Sequence, residues 1–214
     1  MNVQHEVVGV GEFDSHPDQS FIADLKKQMR EFSCCRSSTI QSFITTDKIY
    51  NGENHGESRS YVICDSDRRL LGFFTLGITA IEWNTVEKSS AWKALSRKKK
   101  KHLGNYLRTN AGYIGIYTIG ELARKDGVKS EDLPGKVILM FALRSILKAS
   151  KIAGGRFVLV DSRRTVFNSL YHEAGFMEVG TKESPNKGED EQFVISLLPL
   201  ENVAGLLQDR IHRQ

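Results

Sequence analysis

The chain has 214 residues, of which 40% are hydrophobic and 26% charged, and its formal net charge is +4. This length and hydrophobic content can bury one sizeable core, which predicts a single domain with an additional N-terminal segment. No apolar run approaches the roughly 20 residues that a membrane span requires, and no leading run resembles a signal peptide, so the sequence predicts a cytoplasmic protein with no membrane partner.

The first part of the chain has helical patterns. Residues 19–32 alternate apolar and polar side chains at helical spacing, and residues 39–44 (TIQSFI) predict a second short helix. Residues 51–58 (NGENHGES) are polar and glycine-rich, which predicts a loop. Strands are predicted at residues 59–65 and 69–80. We therefore expect an N-terminal helical segment over residues 1–58, a core over residues 59–200 and a tail over residues 201–214.

A run of cations follows at residues 97–102 (RKKKKH), after a helix-like stretch around Trp92. Five adjacent cations focus positive potential, which suits RNA phosphates or an acidic protein. The alternative is a solvated loop, because the net charge is modest and no base-stacking aromatic pattern accompanies the run.

Residues 113–124 are rich in β-branched and aromatic side chains and predict a strand that carries Glu121. Gly115 and Gly120 interrupt this strand. Glycine inside a strand often marks a bulge or the close approach of another backbone or ligand, and a bulge exposes amides that the ladder would otherwise occupy. The alternative is a strand that is merely irregular.

A polar loop, residues 126–136 (DGVKSEDLPGK), leads directly into a helix predicted over residues 137–153 by apolar side chains at three- and four-residue spacing. Free backbone N–H groups and the positive end of the helix dipole favour phosphate at such an entry. The alternative is an ordinary helix start, with Pro134 as the initiating residue.

The next elements complete an α/β unit. Residues 156–160 (RFVLV) predict a strand with Asp161 and Ser162 at its end, and a helix is predicted near residues 165–174. A strand, a crossover helix and a second strand indicate parallel pairing. Tyr171 lies in the last helix, where an ordinary core position is the alternative to a functional one.

Four stretches, GELARKDG, LPGKVILMFALRSILKASK, GGRFVLVDS and SLYHEAGF, occur in an order and spacing that resemble the GCN5-related N-acetyltransferase (GNAT) family over residues 59–198. The resemblance implies an α/β fold with a mixed sheet, a bulged and splayed central strand pair, and flanking helices. It also implies that acetyl-CoA is the co-substrate and that an acetyl group passes directly to an amine.

By that resemblance, backbone groups of Leu122, Ala123 and Arg124 would hold the pantetheine arm, and residues 130–137 would form the pyrophosphate loop. The loop residues assigned in this way are Ser130, Leu133, Pro134, Gly135, Lys136 and Val137. The family usually has Arg or Gln at the first of these positions and glycine at the second. Because leucine resists the positive backbone angles that glycine allows, these departures predict a reshaped cradle or weaker binding, with Lys136 supplying a compensating charge.

The same resemblance makes Tyr171 the acid that protonates the departing thiolate, since a neutral phenol can donate a proton at neutral pH. Glu121 is a candidate base for the amine, and the alternative is a carboxylate that faces water or pairs with a lysine. Asp161 is a further candidate base, with a strand-end or helix N-cap role as the alternative. The three cysteines and six histidines show no metal-binding spacing, so no metal site is predicted, and the odd, low cysteine count suits a reducing compartment.

The sequence therefore predicts an acetyl-CoA-dependent N-acetyltransferase. The acceptor could be aminoacyl-tRNA, as in toxin members of the family, a protein amine or a small amine, and the alternative function is a catalytically inactive GNAT-fold binding protein. Possible macromolecular partners are an antitoxin-like protein, a second copy of the chain through the amphipathic tail, and tRNA through Lys98, Lys99, Lys100 and Lys101.

Overall fold

The computed structural model describes residues 4–104, 112–184 and 191–203. The chain divides into two compact units, Met1–Gly77 with Ile119–Ala142, and Ile78–Thr118 with Leu143–Gln214. Over the described ranges, no helix is both long enough and apolar enough to cross a membrane.

The described residues contain seven strands and a set of mostly short helices. The strands are β1 (Glu6–Gly9), β2 (Ser58–Cys64), β3 (Leu70–Glu82), β4 (Tyr113–Arg124), β5 (Phe157–Arg163), β6 (Met177–Lys182) and β7 (Phe193–Pro199). The helices are α1 (Gln19–Arg30), α2 (Ser38–Thr45), α3 (Lys48–Asn54), α4 (Trp83–Lys88), α5 (Ser90–Ala94), α6 (Arg97–Gly104) and α7 (Gly135–Ala153). A 3-10 helix (Val10–Ser15), a helical turn (Arg164–Val166) and a π-helix (Phe167–Tyr171) complete the set.

In the first unit the strand order is β1-β2-β3-β4, and β2 pairs antiparallel with both β1 and β3. Helix α1 begins where the Asp18 side chain accepts a hydrogen bond from the Phe21 amide at 2.9 Å, a standard N-cap. Its buried face packs into an apolar core that also includes Phe32, Phe73 and Ala123. This core supports the end of β4 from one side of the sheet.

In the second unit the strand order is β4-β5-β7-β6. Strands β4 and β5 pair in parallel, whereas β7 pairs antiparallel with β5 and with β6. The core of this unit is aromatic: the Trp83 ring lies 4.8 Å from Trp92 and 5.8 Å from Phe157, measured between centroids. The predicted mixed sheet with flanking helices is confirmed, and so is the parallel pairing of the two predicted strands.

Several predicted elements are confirmed with small shifts at their ends. Strand β4 has the predicted bounds, α1 and α2 lie where helices were predicted, and β2 and β3 differ from their predicted ends by one or two residues. Helix α7 begins two residues earlier than predicted, at Gly135. Strand β1 lies in the segment that was predicted to be helical, and its four residues are too few for a clear alternating pattern.

Three predictions were wrong. Residues 51–58 are not a loop, because α3 extends to Asn54 and is anchored by the fully buried Ile49, while β2 begins at Ser58. The cationic run is helical and not a loop. Strand β5 continues to Arg163 because β7 pairs along its whole length, so Asp161 lies inside it. The helix predicted near residues 165–174 is present as a helical turn followed by a π-helix that ends at Tyr171. The predicted amphipathic tail lies outside the described residues from position 204 onward.

Candidate active site

The end of β4 turns one edge of its backbone towards β3. The Glu121 amide donates a hydrogen bond to the Thr75 hydroxyl oxygen at 2.7 Å, and the Lys125 amide donates to the Leu71 carbonyl at 2.8 Å. Both contacts lie within the first unit. The backbone amides of residues 121 and 125 therefore point to the same side, as expected for residues an even number of positions apart in a strand.

The opposite edge of β4 carries the backbone groups of Leu122 and Arg124, since successive residues of a strand direct their peptide groups to alternate sides. Ala123 faces β3, because a Cβ placed on Gly72 of β3 would lie only 2.5 Å from the Ala123 carbonyl oxygen. Of the three residues predicted to hold the pantetheine arm, Leu122 and Arg124 thus present their amides and carbonyls away from β3.

The loop between β4 and α7 is held in a defined shape by the rest of the first unit. The Arg124 guanidinium donates a hydrogen bond to the Leu133 carbonyl at 3.1 Å, and a ring nitrogen of His5 lies 2.8 Å from the Asp132 carbonyl oxygen. The loop ends where α7 begins at Gly135, and amides in the first turn of a helix have no acceptor within the helix. The Val137 and Ile138 amides donate to the Pro134 carbonyl at 2.8 and 3.3 Å. An anion at this position would meet the start of the helix and the positive end of its dipole.

Leu133 is part of the core. Its side chain is fully buried (0% exposed) and lies so close to Gly72 that a Cβ there would approach the leucine Cδ2 to 2.9 Å. Among the described residues, Arg68 is the non-glycine residue with a positive φ, so Leu133 has an ordinary negative one. The conflict expected between leucine and a left-handed backbone does not arise, because the loop places no such angle at this position.

The other residues assigned to the pyrophosphate loop are more accessible. Ser130 and Lys136 are exposed, whereas Pro134, Gly135 and Val137 are half-buried. The loop therefore offers one exposed cation next to the helix start, and its first assigned position offers a small hydroxyl where a longer polar side chain was expected.

Glu121 is half-buried on β4, and burial raises the pKa of its carboxyl group to about 7. The cause is loss of hydration, which disfavours the ionised form. A carboxyl group with this pKa is present in both protonation states near neutral pH, as a general base requires.

Replacing Glu121 with glutamine is expected to flatten the pH dependence of stability. The native pKa of about 7 is above the ordinary value of 4.5, so the folded protein loses stability as the pH rises from about 4.5 to 7 and does not regain it above. The shift corresponds to at most about 3 kcal/mol, and partial hydration reduces the expected effect to about 1 to 2 kcal/mol. Urea unfolding at pH 5 and pH 8 measures it, with the exposed Glu57→Gln as the control; equal pH dependence in wild type and Glu121→Gln would contradict it.

Tyr171 lies in the second unit at the end of the π-helix. Its side chain is 4% exposed, and its ring packs edge-on against Phe176 with 5.3 Å between centroids. The His172 amide donates to the Phe167 carbonyl at 2.8 Å, a five-residue step that widens the helix at this point. Single π-turns of this kind are frequent at functional sites. The backbone and the ring of Tyr171 are thus both fixed.

Asp161 forms an ion pair and does not cap a helix. The Lys182 ammonium lies 2.5 Å from one carboxylate oxygen, and the other oxygen is buried without a hydrogen-bond partner among the described residues. The predicted N-cap and strand-end roles do not apply, because Asp161 lies within the β5–β7 ladder.

The cationic run forms α6 and belongs to the second unit. Leu103 anchors it, with 1% of its surface exposed, and the His102 ring nitrogen lies 2.6 Å from a carboxylate oxygen of Glu201. The Arg156 guanidinium also donates to the His102 carbonyl at 2.8 Å. The exposed cations of this ordered helix are Arg97, Lys98, Lys99 and Lys101.

No protein-family model matches the chain, but many solved structures do. A structure described as a bacterial toxin matches with a TM-score of 0.66 at 13% identity, over 96% of each chain. A variant of the toxin AtaT bound to the C-terminus of the antitoxin AtaR and acetyl-CoA matches with a TM-score of 0.58 at 17% identity, over 97% of this chain and 99% of that one. AtaT complexed with acetyl-methionyl-tRNAfMet matches with a TM-score of 0.59 at 17% identity, over 95% and 99%.

The chain has the GNAT fold. In this GNAT fold, the described β4–β5 register comprises Tyr117 with Val158 and Thr118 with Leu159, whereas β4 itself continues to Arg124. Among the described residue pairs, the segment from Glu121 to Arg124 therefore has no partner in β5.

The contacts of two side chains in this fold were not predicted from the sequence. The Thr75 hydroxyl accepts a hydrogen bond from the Glu121 amide. The Arg124 guanidinium donates a hydrogen bond to the Leu133 carbonyl of the loop, whereas the sequence assigned Arg124 only for its backbone. A signal for the first exists in the sequence, since Thr75 is a hydroxyl-bearing residue within the apolar stretch RLLGFFTL. No comparable signal marks the second, because an arginine at the end of a strand is common on protein surfaces.

Proposed function

We propose that the chain is an N-acetyltransferase that moves an acetyl group from acetyl-CoA to the amine of an aminoacyl-tRNA. The observation that carries this proposal is the likeness, over nearly the full length of both chains, to AtaT in complexes with acetyl-CoA and with acetyl-methionyl-tRNAfMet.

Acetyl-CoA is expected to bind along β4 and at the start of α7. Peptide groups of Leu122 and Arg124 point away from β3 and suit the amides of the pantetheine arm, which alternate donors and acceptors in the same way. Gly135 and Lys136 begin α7, where a pyrophosphate would meet helix N–H groups and one ammonium. The first unit therefore supplies a preformed surface for both polar parts of the molecule.

The proposed reaction is a direct transfer. The amine nitrogen attacks the thioester carbonyl, a carbon–nitrogen bond forms, and the carbon–sulfur bond breaks with its electron pair on sulfur. Tyr171 gives its phenolic proton to the sulfur, and Glu121 accepts the proton that the amine loses. The raised pKa of Glu121 supports its part, since a carboxylate with a pKa of about 7 is a stronger base than an ordinary one.

Helix α6 is the proposed contact for the tRNA backbone. Its exposed cations lie on a helix that is tied to the second unit, so less entropy is lost on binding than for a disordered basic loop.

By the likeness to the AtaT–AtaR complex, an antitoxin-like protein is the proposed regulatory partner. A cytoplasmic location is supported by the three free cysteines.

Two measurements test the proposal. Calorimetry should detect acetyl-CoA binding at concentrations between about 1 μM and 1 mM, the usual range of enzyme affinities. Acetylation should then be followed with aminoacyl-tRNA, free amino acids and lysine peptides as competing acceptors. Preferential acetylation of aminoacyl-tRNA supports the proposal, and acetyl-CoA binding with transfer only to another amine would overturn the acceptor assignment.

Removing two exposed charges from α6 should weaken tRNA binding selectively. The double variant Lys98→Gln with Lys99→Gln is expected to reduce the slope of log affinity against log salt by about 1 to 2, because each lost phosphate contact removes about 0.7 to 0.9. The matched control is Lys148→Gln with Lys151→Gln, which removes two exposed lysines of α7. Equal salt slopes in the two double variants would rule out α6 as the contact, and acetyl-CoA affinity should not change in either.

A second function is favoured by one observation. Ser130 and Leu133 replace the residues usual in the pyrophosphate loop, and the leucine side chain is directed into the core and away from any ligand. A GNAT-fold binding protein without turnover would have this loop and would retain tRNA or protein binding. Acetyl-CoA binding together with transfer would exclude this second function.

A further inference from the structure

The backbone amide of Glu121 donates its hydrogen bond to a side chain. At Lys125 the acceptor on β3 is a backbone carbonyl, that of Leu71, whereas at Glu121 the acceptor is the hydroxyl of Thr75. Glu121 and Lys125 are four residues apart, and so are Thr75 and Leu71, so both contacts belong to one antiparallel register. The Thr75 hydroxyl therefore takes the place that its own carbonyl would hold in a regular ladder.

The hydroxyl is tightly enclosed. Thr75 is 3% exposed, and a Cβ on Gly120 would lie 2.9 Å from the threonine Oγ1. Glycine at position 120 thus lets the hydroxyl approach the β4 backbone closely. The N–H of Glu121 has a buried, well-directed acceptor that a residue without a hydroxyl could not supply.

We propose that Thr75 is a positioning residue, whose hydroxyl holds the Gly120–Glu121 segment of β4 in the conformation that orients the Glu121 carboxyl group and the Leu122 amide for acetyl transfer. This inference rests on the proposed function, in which those two groups contact the substrates. The hydroxyl contacts neither substrate and acts through the β4 backbone.

The Thr75 hydroxyl affects β4 because it determines which acceptor the Glu121 amide has. Without the hydroxyl, the Glu121 amide must either move to the backbone carbonyl of residue 75 or remain buried without a partner. In the first alternative, β4 moves towards β3, because the amide must reach a backbone acceptor in place of a side-chain acceptor. In the second, a buried donor is left without a hydrogen bond. Either outcome changes the direction of the following Leu122 peptide, because the peptide planes of the Glu121 and Leu122 amides are joined at the Glu121 Cα atom.

Two variants separate the Thr75 hydroxyl from the rest of the side chain, and a third variant is the control. Thr75→Val removes the hydroxyl and retains the shape, and Thr75→Ser retains the hydroxyl and removes a methyl group. Ser60→Ala is the matched control: Ser60 lies opposite Thr75 on β2, and its buried hydroxyl has no hydrogen-bond partner among the described residues.

The first measurement does not depend on acetyltransferase activity. NMR titration of the Glu121 carboxyl group in the protein without ligand should show a changed midpoint in Thr75→Val and an unchanged one in Thr75→Ser and Ser60→Ala. The second readout is acetyl-CoA affinity, which should fall about three- to tenfold in Thr75→Val only, the range that one hydrogen bond supplies. The titration decides the inference even if the native chain fails to bind acetyl-CoA, a result that would overturn the proposed function alone.

Two results would overturn the inference. One is a Thr75→Val protein that matches wild type in both the Glu121 titration and acetyl-CoA affinity; the other is a Thr75→Ser protein as impaired as Thr75→Val, which would show that the methyl group matters and the hydroxyl does not. If Thr75→Val does not fold, hydrogen exchange of the Glu121 amide in the wild-type protein gives the answer. Strong protection supports the hydrogen bond, and exchange at the rate of an exposed amide refutes it.

Discussion

Replacing Tyr171 with phenylalanine is expected to lower kcat by about 10²- to 10⁴-fold, the usual contribution of a general acid, while the Kd for acetyl-CoA stays within about twofold. The reason is chemical: phenylalanine keeps the ring that packs against Phe176 but has no proton to give to the departing sulfur. Single-turnover acetylation of aminoacyl-tRNA measures the rate, and calorimetry measures the affinity.

Tyr61→Phe is the matched control for this experiment. Tyr61 is also a tyrosine whose ring packs on a phenylalanine, stacked on Phe74 with 5.0 Å between centroids, but it lies on β2 and has no proposed role in transfer. Both variants should remain folded, as thermal unfolding would show. If Tyr171→Phe retains the wild-type rate, the phenol is not the acid, and Tyr171 is a core residue only.

Replacing Leu133 with glycine is expected to destabilise the protein by about 3 to 5 kcal/mol and to weaken acetyl-CoA binding. Leu133 fills the space beside Gly72, so its removal leaves a cavity under the pyrophosphate loop, and its backbone needs no glycine because its φ is negative. Urea unfolding measures the loss of stability, and calorimetry measures the affinity in the same preparations.

Leu133→Ala distinguishes packing from backbone freedom. Alanine also loses the buried side chain but restores little of the backbone freedom that glycine brings. We expect both variants to bind acetyl-CoA more weakly than wild type. Tighter binding by Leu133→Gly alone would show that leucine hinders the loop, and it would favour the inactive binding protein over the enzyme.

The parts of the fold with long, regular patterns could be predicted from the sequence. Strand β4 has a dense run of β-branched residues, and α7 has apolar residues at three- and four-residue spacing over nineteen residues, so both were located within two residues. The parallel pairing of β4 with β5 followed from the crossover helix between them.

The elements that were missed depend on tertiary contacts that no local pattern records. Helix α3 contains the turn-forming sequence NGEN and is held by the burial of Ile49, and α6 is held by Leu103 and by contacts with Arg156 and Glu201. In both, packing overrides weak local propensity.

In the candidate site, too, residue types could be predicted from the sequence and their surroundings could not. The sequence indicated Glu121 as a candidate base and Tyr171 as a candidate acid, but the raised pKa of the Glu121 carboxyl group depends on its burial. The packing of Leu133 could not be predicted from residue type, because it depends on where the loop places the backbone. The Thr75 contact requires the register of two strands to be known.

The anchoring of α6 has a consequence for the synthesis of the protein. Its partner Glu201 follows His102 by 99 residues, and the adjacent Leu200 amide donates to the carbonyl of Arg156, the other partner of α6. On the ribosome, the lysine-rich segment therefore emerges well before Arg156 and Glu201, and α6 gains these contacts only after both residues have been synthesised. A protein proposed to act on charged tRNA would thus hold its basic helix in place later than the helix itself is made.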